Sequence, residues 1–364
     1  MLQAPLPEYI TQMTDSELHE LVRKAKRKLG NDVLVLGHHY QRDEVIEHAD
    51  HTGDSLKLAR IAHESQRAIF VVFCGVHFMA ETADIMAHPN QKVCLPDLEA
   101  GCDMADMAIE YDVRTAWNDA ASIIDAKRII PVTYVNSKAS LKAFVGDKGG
   151  TVCTSSNADK VITWAMERGN HLFFFPDQHL GRNVCKRLGL DPSTDMLIWN
   201  PNTPFGGHSP EKLAATKIWL WQGHCPVHAL FTVEQIQKLR ADDPHVKIIV
   251  HPECAMEIVD LADGVGSTEQ LIKMVHDAQP GSAFAVGTEV HLVERLAKTY
   301  PDKRIFSLNR FSCLCATMNR ISIGHLAWVM SDLADKGILH NQIAVPEIIA
   351  KSARVALTRM FELS

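Results

Sequence analysis

The sequence lacks long apolar runs and an excess of positive charge, and each absence excludes a class of protein. The longest nearly apolar run, residues 68–80, is shorter than the roughly 20 residues that a membrane-spanning helix needs. A formal net charge of −7 argues against a broad basic surface for nucleic acid. The first residues show no basic stretch followed by an apolar one. We therefore expect a cytoplasmic protein with neither membrane nor nucleic-acid partners.

The cysteine count also excludes a structural class. The 364-residue chain has nine cysteines, an odd number, and no visible export signal. A disulfide framework is therefore a poor interpretation, and buried thiols, metal ligands or a nucleophile are better ones. Free cysteine is among the most buried residue types, so most of the nine are expected to be packing residues. The length itself suggests two or three domains.

Short apolar runs alternate with amphipathic stretches, which predicts an α/β protein with mainly parallel sheets. The predicted strands are Val33–Leu36, Ile69–Cys74, Ile129–Tyr134, Leu172–Phe175, Val246–Val250, Ala283–Val286 and Arg304–Leu308. Predicted helices between them include Ser55–Ser65, Ala158–Glu167, Thr268–Asp277 and Val290–Thr299.

The order of these elements repeats three times along the chain. His38 and Cys102 are 64 positions apart, and so are His251 and Cys315. The middle copy, which ends at Cys225, is longer. Most of the excess lies in residues 190–220, where the segment WNPNTPFGGHSP, residues 199–210, is expected to form a loop. Three copies that agree in order and spacing indicate a triplicated α/β unit.

Each copy places polar residues where strands end and helices begin, the position at which α/β proteins bind ligands. At the strand ends these are His38, His39 and Tyr40, then Tyr134, Asn136 and Ser137, then His251 and Glu253. At a second helix start they are Ser55, then Ser155 and Ser156, then Ser267 and Thr268. One such hydroxyl is most simply a helix N-cap. Three equivalent ones predict a small, highly anionic ligand at the junction of three domains.

Three cysteines end the three copies, namely Cys102, Cys225 and Cys315. Three thiolates from three domains suit a [4Fe–4S] cluster with one open iron that acts as a Lewis acid. Zinc with three thiolates and a water is the inorganic alternative. Cys313 competes with Cys315 as the third ligand, and the equal 64-residue spacing favours Cys315.

The remaining cysteines are not predicted to bind metal. Cys74, Cys153 and Cys254 lie in or beside strands and are interpreted as packing residues, while Cys94 and Cys185 have no clear role.

An ordered set of motifs resembles the quinolinate synthase family. The set comprises GHHYQ with GDSL, LPDLEAGCDMA, TYVNS with CTSSN, PDQHLG, GHCPVH, HPEC with GST, VGTE and C-x-x-M-N, and it runs from about residue 30 to residue 320. The resemblance implies three similar αβα sandwich domains around a pseudo-threefold axis. We place the first at 1–113 with 326–364, the second at 114–235 and the third at 236–325. It also implies the condensation of iminosuccinate (iminoaspartate) with dihydroxyacetone phosphate to quinolinate, phosphate and water in NAD biosynthesis.

The resemblance assigns roles to residues of this chain. The ligands of a [4Fe–4S] cluster fall on Cys102, Cys225 and Cys315. The substrate-binding positions fall on His38, Tyr40, Ser55, Tyr134, Asn136, Ser155, His251, Glu253, Ser267 and Thr268. Among these, Glu253 is the first choice for general acid/base, assisted by Tyr40 and His251. An L-aspartate oxidase or dehydrogenase that supplies iminosuccinate is the expected functional partner.

The sequence departs from the family pattern at two places. The last motif reads CATMN where Pro commonly follows the Cys, and the second copy carries the 190–220 insert. Neither removes a motif residue.

Two other classes of protein remain as alternatives. A radical enzyme of the diphthamide type also takes one Cys from each of three domains, but it would need an S-adenosylmethionine site. An iron–sulfur sensor would not need the convergent Tyr, His and Glu side chains.

Overall fold

A computed structural model describes residues 3–65, 67–309 and 313–364, and it is an α/β protein with three sheets, as predicted. The strands are β1 (Val33–His38), β2 (His51–Gly53), β3 (Phe70–Cys74), β4 (Lys92–Cys94), β5 (Ile129–Tyr134), β6 (Thr151–Cys153), β7 (His171–Phe175), β8 (Met196–Trp199), β9 (Ile218–Trp221), β10 (Lys247–Val250), β11 (Gly264–Val265), β12 (Ala283–Gly287), β13 (Arg304–Ser307) and β14 (Gln342–Ile343).

Helices separate most of these strands along the chain. They are α1 (Glu8–Thr11), α2 (Asp15–Leu29), α3 (Asp43–Ile46), α4 (Ser55–Glu64), α5 (His77–Met86), α6 (Asp103–Asp106), α7 (Glu110–Ile123), α8 (Ala139–Asp147), α9 (Ala158–Met166), α10 (Gln178–Arg187), α11 (Pro210–Ala215), α12 (Val233–Asp242), α13 (Met256–Leu261), α14 (Thr268–His276), α15 (Val290–Thr299), α16 (Ile323–Lys336) and α17 (Glu347–Glu362). Every predicted strand and helix is present, with ends within two residues of the prediction. Within the described ranges, no helix combines the length and apolar character needed to cross a bilayer.

The three sheets share one strand order. Their parallel strands run β2-β1-β3-β4, β6-β5-β7-β9 and β11-β10-β12-β13, so the first strand of each copy lies between the second and the third. β14 adds an antiparallel edge to β4. This common order is what a triplicated α/β unit requires.

The insert in the second copy is not only a loop. Residues 196–199 form β8, which pairs in parallel with β9 at the edge of the second sheet, and α11 follows. The apolar run MLIW explains the difference, because its side chains are largely buried and extend the sheet by one strand. The loop expected over residues 199–210 contains only turns and a short 3₁₀ segment between Trp199 and Pro210, whereas β8 was not predicted.

Chain contacts divide the protein into two compact units. The first comprises residues 1–102, 289–295 and 314–346 and holds the sheet built on β1. The second comprises residues 103–288, 296–313 and 347–364 and holds the other two sheets. The three domain boundaries proposed from the sequence stay a prediction.

The two C-terminal helices belong to different units, although both were expected with the first domain. α16 packs against α2 in the first unit, as expected. α17 instead packs against α8 and β6 in the second unit. Its small buried residues, including Ala350, Ala353 and Ala356, let the helix backbone approach α8 closely at Gly146.

The parallel strands are buried on both faces. Every residue of β1, β5 and β7 is buried, as expected when helices cover both sides of a sheet. Polar side chains that serve a ligand must therefore emerge at the ends of the strands.

Gly146 tests the packing of α17. A methyl group at Gly146 would collide with the backbone carbonyl of Ser352, whereas one at Gly324, also helical, meets only side chains at 3.3 Å or more. Alanine adds about 1 kcal/mol of helix propensity at either site. We expect Gly146→Ala to lower the free energy of unfolding by about 1–3 kcal/mol and Gly324→Ala to leave it equal or higher. Denaturant titration of both variants measures this, and equal stability would contradict the close approach.

Candidate active site

A buried carboxylate lies at the end of β10, in the second unit. Glu253 is 4% exposed, and its Oε1 accepts a hydrogen bond of 2.6 Å from the Tyr134 hydroxyl at the end of β5. Its Oε2 lies 2.9 Å from Nδ1 of His228. The two strand ends of the second and third sheets therefore meet at this side chain.

Two stacked histidines flank the carboxylate. The rings of His228 and His251 lie 4.7 Å apart at 23°. The backbone N–H of Glu253 donates to Nδ1 of His251 at 3.3 Å, so a neutral His251 ring carries its hydrogen on Nε2. His228 Nε2 contacts the Thr288 hydroxyl at 3.3 Å. The turn thus fixes the orientation of His251 through its own backbone.

Burial sets the protonation of these groups. It lowers the pKa of His251 to about 3, so the ring is neutral at pH 7. It also raises the pKa of Tyr134 well above its ordinary value, and the negative charge of Glu253 adds to the shift. Burial opposes ionisation of Glu253, but the neighbouring histidines and the Tyr134 hydrogen bond outweigh it and lower its pKa. Glu253 is therefore a carboxylate facing a protonated phenol.

The second copy adds two further predicted residues. Ser155, which is half-buried, hydrogen-bonds Tyr134 and opposes the rise of its pKa. Asn136 is half-buried two residues after the end of β5. Tyr134 therefore joins Ser155 and Glu253 in one network.

The first unit repeats the turn geometry around His38, the last residue of β1. The backbone N–H of Tyr40 donates to Nδ1 of His38 at 3.1 Å, as the N–H of Glu253 does to His251. The rings of His38 and Tyr40 contact edge to face, 4.9 Å apart. Tyr40 and Glu253 are thus equivalent residues of two copies, each two positions after a histidine.

The helix-start hydroxyls divide into two kinds. Ser267 is a helix N-cap, and it forms a capping box with Gln270. Ser55 is not a cap, because Asp54 caps α4, and Ser155 lies before Asn157, which precedes α9. Thr268 is 4% exposed, and its Oγ1 has no hydrogen-bond partner among the described residues. The capping interpretation therefore holds for Ser267 alone.

Three of the nine cysteines are partly exposed, and they are Cys102, Cys225 and Cys315. The other six, including Cys313, are buried. Burial raises the pKa of Cys74 and of Cys185 to about 12, so these thiols stay protonated. Only three thiols are thus accessible to a ligand, and they are the three that end the copies.

The turns after these cysteines also correspond. Each cysteine lies seven residues before the N-cap of a long helix, and the N-caps are Ile109, Thr232 and Ser322. The carbonyls of Cys225 and Cys315 each accept a hydrogen bond from the N–H four residues later. A 3₁₀ turn begins three residues after each of these two cysteines. Cys225 and Cys315 are therefore equivalent in structure, and Cys102 shares their spacing to the following helix.

Side-chain contacts within each unit hold the chain beside these cysteines. In the first unit Arg320 pairs with Asp97 at 3.1 Å and with Glu99 at 2.5 Å, which links the chain after Cys315 to the chain before Cys102. In the second unit the N–H of His224, the residue before Cys225, contacts the Met107 sulfur at 3.4 Å.

Sequence reasoning missed two residues of the site in the second unit. His228 was part of the GHCPVH motif, and its place three residues after Cys225 was the available signal. Asp177, the N-cap of α10, is fully buried, and burial followed by the charge of Glu253 raises its pKa well above its ordinary value. Asp177 lies in the PDQHLG motif, which was the available signal, but its burial beside Glu253 becomes visible only in the fold.

Comparison with known proteins identifies the class to which this fold and site belong. Residues 20–362 match the family model described as Quinolinate synthetase A protein. A quinolinate synthase of Corynebacterium glutamicum is 52% identical over 99% of this chain and 91% of its own. That of Halalkalibacterium halodurans is 49% identical over 98% of this chain and 96% of its own. That of Rhodopirellula baltica is 46% identical over 98% of this chain and 93% of its own.

These matches cover nearly the whole chain. The chain belongs to the quinolinate synthase family of enzymes, which serve NAD biosynthesis.

Ser267 and Thr268 allow a hydroxyl that caps a helix to be compared with a buried hydroxyl that has no partner among the described residues. Ser267→Ala removes an N-cap, so we expect a loss of about 0.5–2 kcal/mol in unfolding free energy with the KM unchanged. Thr268→Val removes a buried hydroxyl that has no partner in the described part of the chain. Stability should therefore hold, while the KM should rise about ten- to a hundred-fold if the hydroxyl binds a charged group of the substrate. Denaturation and steady-state kinetics measure both, and the reverse pattern would contradict the assignment.

Proposed function

We propose that the protein condenses iminosuccinate with dihydroxyacetone phosphate to form quinolinate, phosphate and two waters. The observation that carries the proposal is the position of Glu253 beside Cys225. Ligand atoms of Cys225, His228 and Glu253 all lie within 4.8 Å of one another. An acid–base group thus lies beside one of the three accessible thiols.

The proposed cofactor is a [4Fe–4S] cluster on Cys102, Cys225 and Cys315. The donor chemistry supports it, because three soft thiols are accessible while six are buried. When bound, the cluster would supply an open iron that acts as a Lewis acid towards substrate oxygens.

The substrates explain the polar residues at the strand and helix ends. Iminosuccinate has two carboxylates, and dihydroxyacetone phosphate has a phosphate dianion. The hydroxyls of Ser55, Ser155 and Thr268, with His38 and Asn136, would bind these groups by hydrogen bonds. The buried Thr268 hydroxyl supports this role, because an unpaired buried hydroxyl is costly unless a ligand satisfies it.

Glu253 would transfer the protons. The enamine carbon of iminosuccinate attacks the phosphate-bearing carbon, and phosphate leaves. Isomerisation, ring closure by the nitrogen and two dehydrations follow. Each of these later steps moves a proton, which Glu253 would accept at Oε2 while Tyr134 holds Oε1. His251 Nε2–H and the Tyr40 hydroxyl would assist as donors.

Zinc is the second candidate for the metal. Cys225, His228 and Glu253 together offer a thiolate, an imidazole and a carboxylate, a donor set that zinc accepts. Zinc would compete with the Tyr134 and His228 contacts that already engage Glu253.

Product analysis tests the proposed reaction. Anaerobically purified protein, given iminosuccinate and dihydroxyacetone phosphate, should release phosphate and quinolinate in equal amounts. Glu253→Gln keeps the size but removes the proton acceptor, so kcat should fall about 10²- to 10⁴-fold at matched cluster content. No phosphate from cluster-loaded wild type would contradict the reaction. A near wild-type kcat in Glu253→Gln would instead indicate that Tyr40 or His251 transfers the proton.

Substitution of the cysteines tests the ligands. Cys102→Ala, Cys225→Ala and Cys315→Ala should each lose the cluster and all activity, because each removes one of three thiolates. Cys313→Ala is the matched control, since Cys313 is buried two residues from Cys315, and it should keep both. Iron and sulfide content with visible spectra measure retention, and a full cluster in Cys315→Ala would refute the assignment.

A further inference from the structure

Two helices hold the turns that carry Tyr40 and Glu253, and they do so at equivalent positions. In the second unit Asn183 of α10 donates both hydrogens of Nδ2, to the carbonyls of Pro252 at 2.9 Å and Cys254 at 2.8 Å. These residues precede and follow Glu253. The amide therefore holds the peptide groups on either side of the carboxylate while the side chain stays free to face Tyr134.

The first unit has the same arrangement around Tyr40. Arg295 of α15 donates to the carbonyls of His39 at 2.8 Å and Gln41 at 2.6 Å, the residues on either side of Tyr40. Its Nε also pairs with Asp43 at 2.9 Å. Two chemically different side chains thus make the same pair of contacts on equivalent turns.

The two side chains occupy the same place in their copies. Asn183 lies six residues after Asp177, and Arg295 lies six residues after Glu289, each acid standing directly before its helix. Thr82, the corresponding residue of α5, donates to Phe78 within its own helix instead. Asn183 and Arg295 therefore share this pair of carbonyl contacts at the turns of Glu253 and Tyr40.

The starts of α10 and α15 also contact the turns that carry Cys225 and Cys315, which we call the cysteine turns. In the second unit the Gln178 N–H donates to the Gly223 carbonyl at 3.0 Å, two residues before Cys225. In the first unit the Cys315 N–H contacts Glu289 Oε1 at 3.4 Å. Six residues of helix span about 9 Å. Each helix thus fixes a cysteine turn at its beginning and an acid–base turn about 9 Å further along.

We propose that Asn183 and Arg295 are equivalent positioning residues that set the distance of Glu253 and Tyr40 from the cysteine turns. This rests on the proposed function of Glu253 and Tyr40. Neither side chain needs to touch substrate, because each acts through the peptide groups that flank the reactive residue. Small displacements of a reactive group reduce rate strongly, by about a hundred-fold per ångström.

Asn183→Leu and Arg295→Lys test the proposal. Leucine has the same number and branching of side-chain heavy atoms as asparagine, although it is larger, and it donates no hydrogen bond. Lysine keeps the charge near Asp43 but cannot reproduce the fixed fork of the guanidinium. We expect each to lower kcat about ten- to a hundred-fold, with KM and the iron and sulfide content unchanged. Amide exchange should also speed up in peptides covering residues 251–254 and 38–42 respectively.

Lys186→Ala and Glu294→Ala are the matched controls, because they lie on the same two helices, Lys186 at a half-buried position and Glu294 at an exposed one. Lys186 pairs with Asp260 and so also joins α10 to α13, but it does not touch the Glu253 turn. Both controls should keep the wild-type kcat and the wild-type rates of amide hydrogen exchange in these peptides. Wild-type kcat with unchanged exchange in Asn183→Leu and Arg295→Lys would overturn the proposal. If the wild type made no quinolinate, the proposed function would fail, and the exchange measurement alone would still decide the positioning.

Discussion

The hydrogen bond between Tyr134 and Glu253 is the interaction on which the site depends. A carboxylate that is 4% exposed is costly to bury unless donors stabilise it. The Tyr134 hydroxyl supplies that stabilisation at 2.6 Å, and in doing so it ties the end of β5 to the end of β10. Burial then keeps the phenol protonated and His251 neutral, so the groups suited to acid–base chemistry are set in their protonation states before any substrate binds.

Most of the fold could be predicted from the sequence, because the repeat is encoded in local patterns. Buried parallel strands are apolar runs, and the ends found by pattern fall within two residues of those in the structure. Helix α17 was expected with the first domain and strand β8 was not predicted, and both depend on contacts with distant parts of the chain. α17 follows a face of small residues that fits α8, and β8 needs the edge of β9 to become a strand. Neither partner is visible in the local sequence.

The candidate site was predictable by residue type but not by role. The sequence pattern treated Ser55, Ser155, Ser267 and Thr268 alike, yet only Ser267 caps a helix, because capping depends on where the first helical turn begins. The cysteines, by contrast, could be distinguished from one another by their spacing in the sequence. A spacing of 64 residues favoured Cys315 over Cys313, and the structure independently gives Cys315 an accessible thiol while Cys313 is buried. His228 and Asp177 were missed because burial, not spacing, makes them part of the site.

Metal analysis of the wild-type protein is the most direct test of a catalytic [4Fe–4S] cluster on the three cysteines. Protein purified without oxygen should contain about four irons and four sulfides per chain, as a [4Fe–4S] cluster requires. Exposure to air should remove the open iron first, with parallel loss of activity. Zinc as the only bound metal, or full activity after prolonged aerobic handling, would contradict a catalytic cluster on Cys102, Cys225 and Cys315.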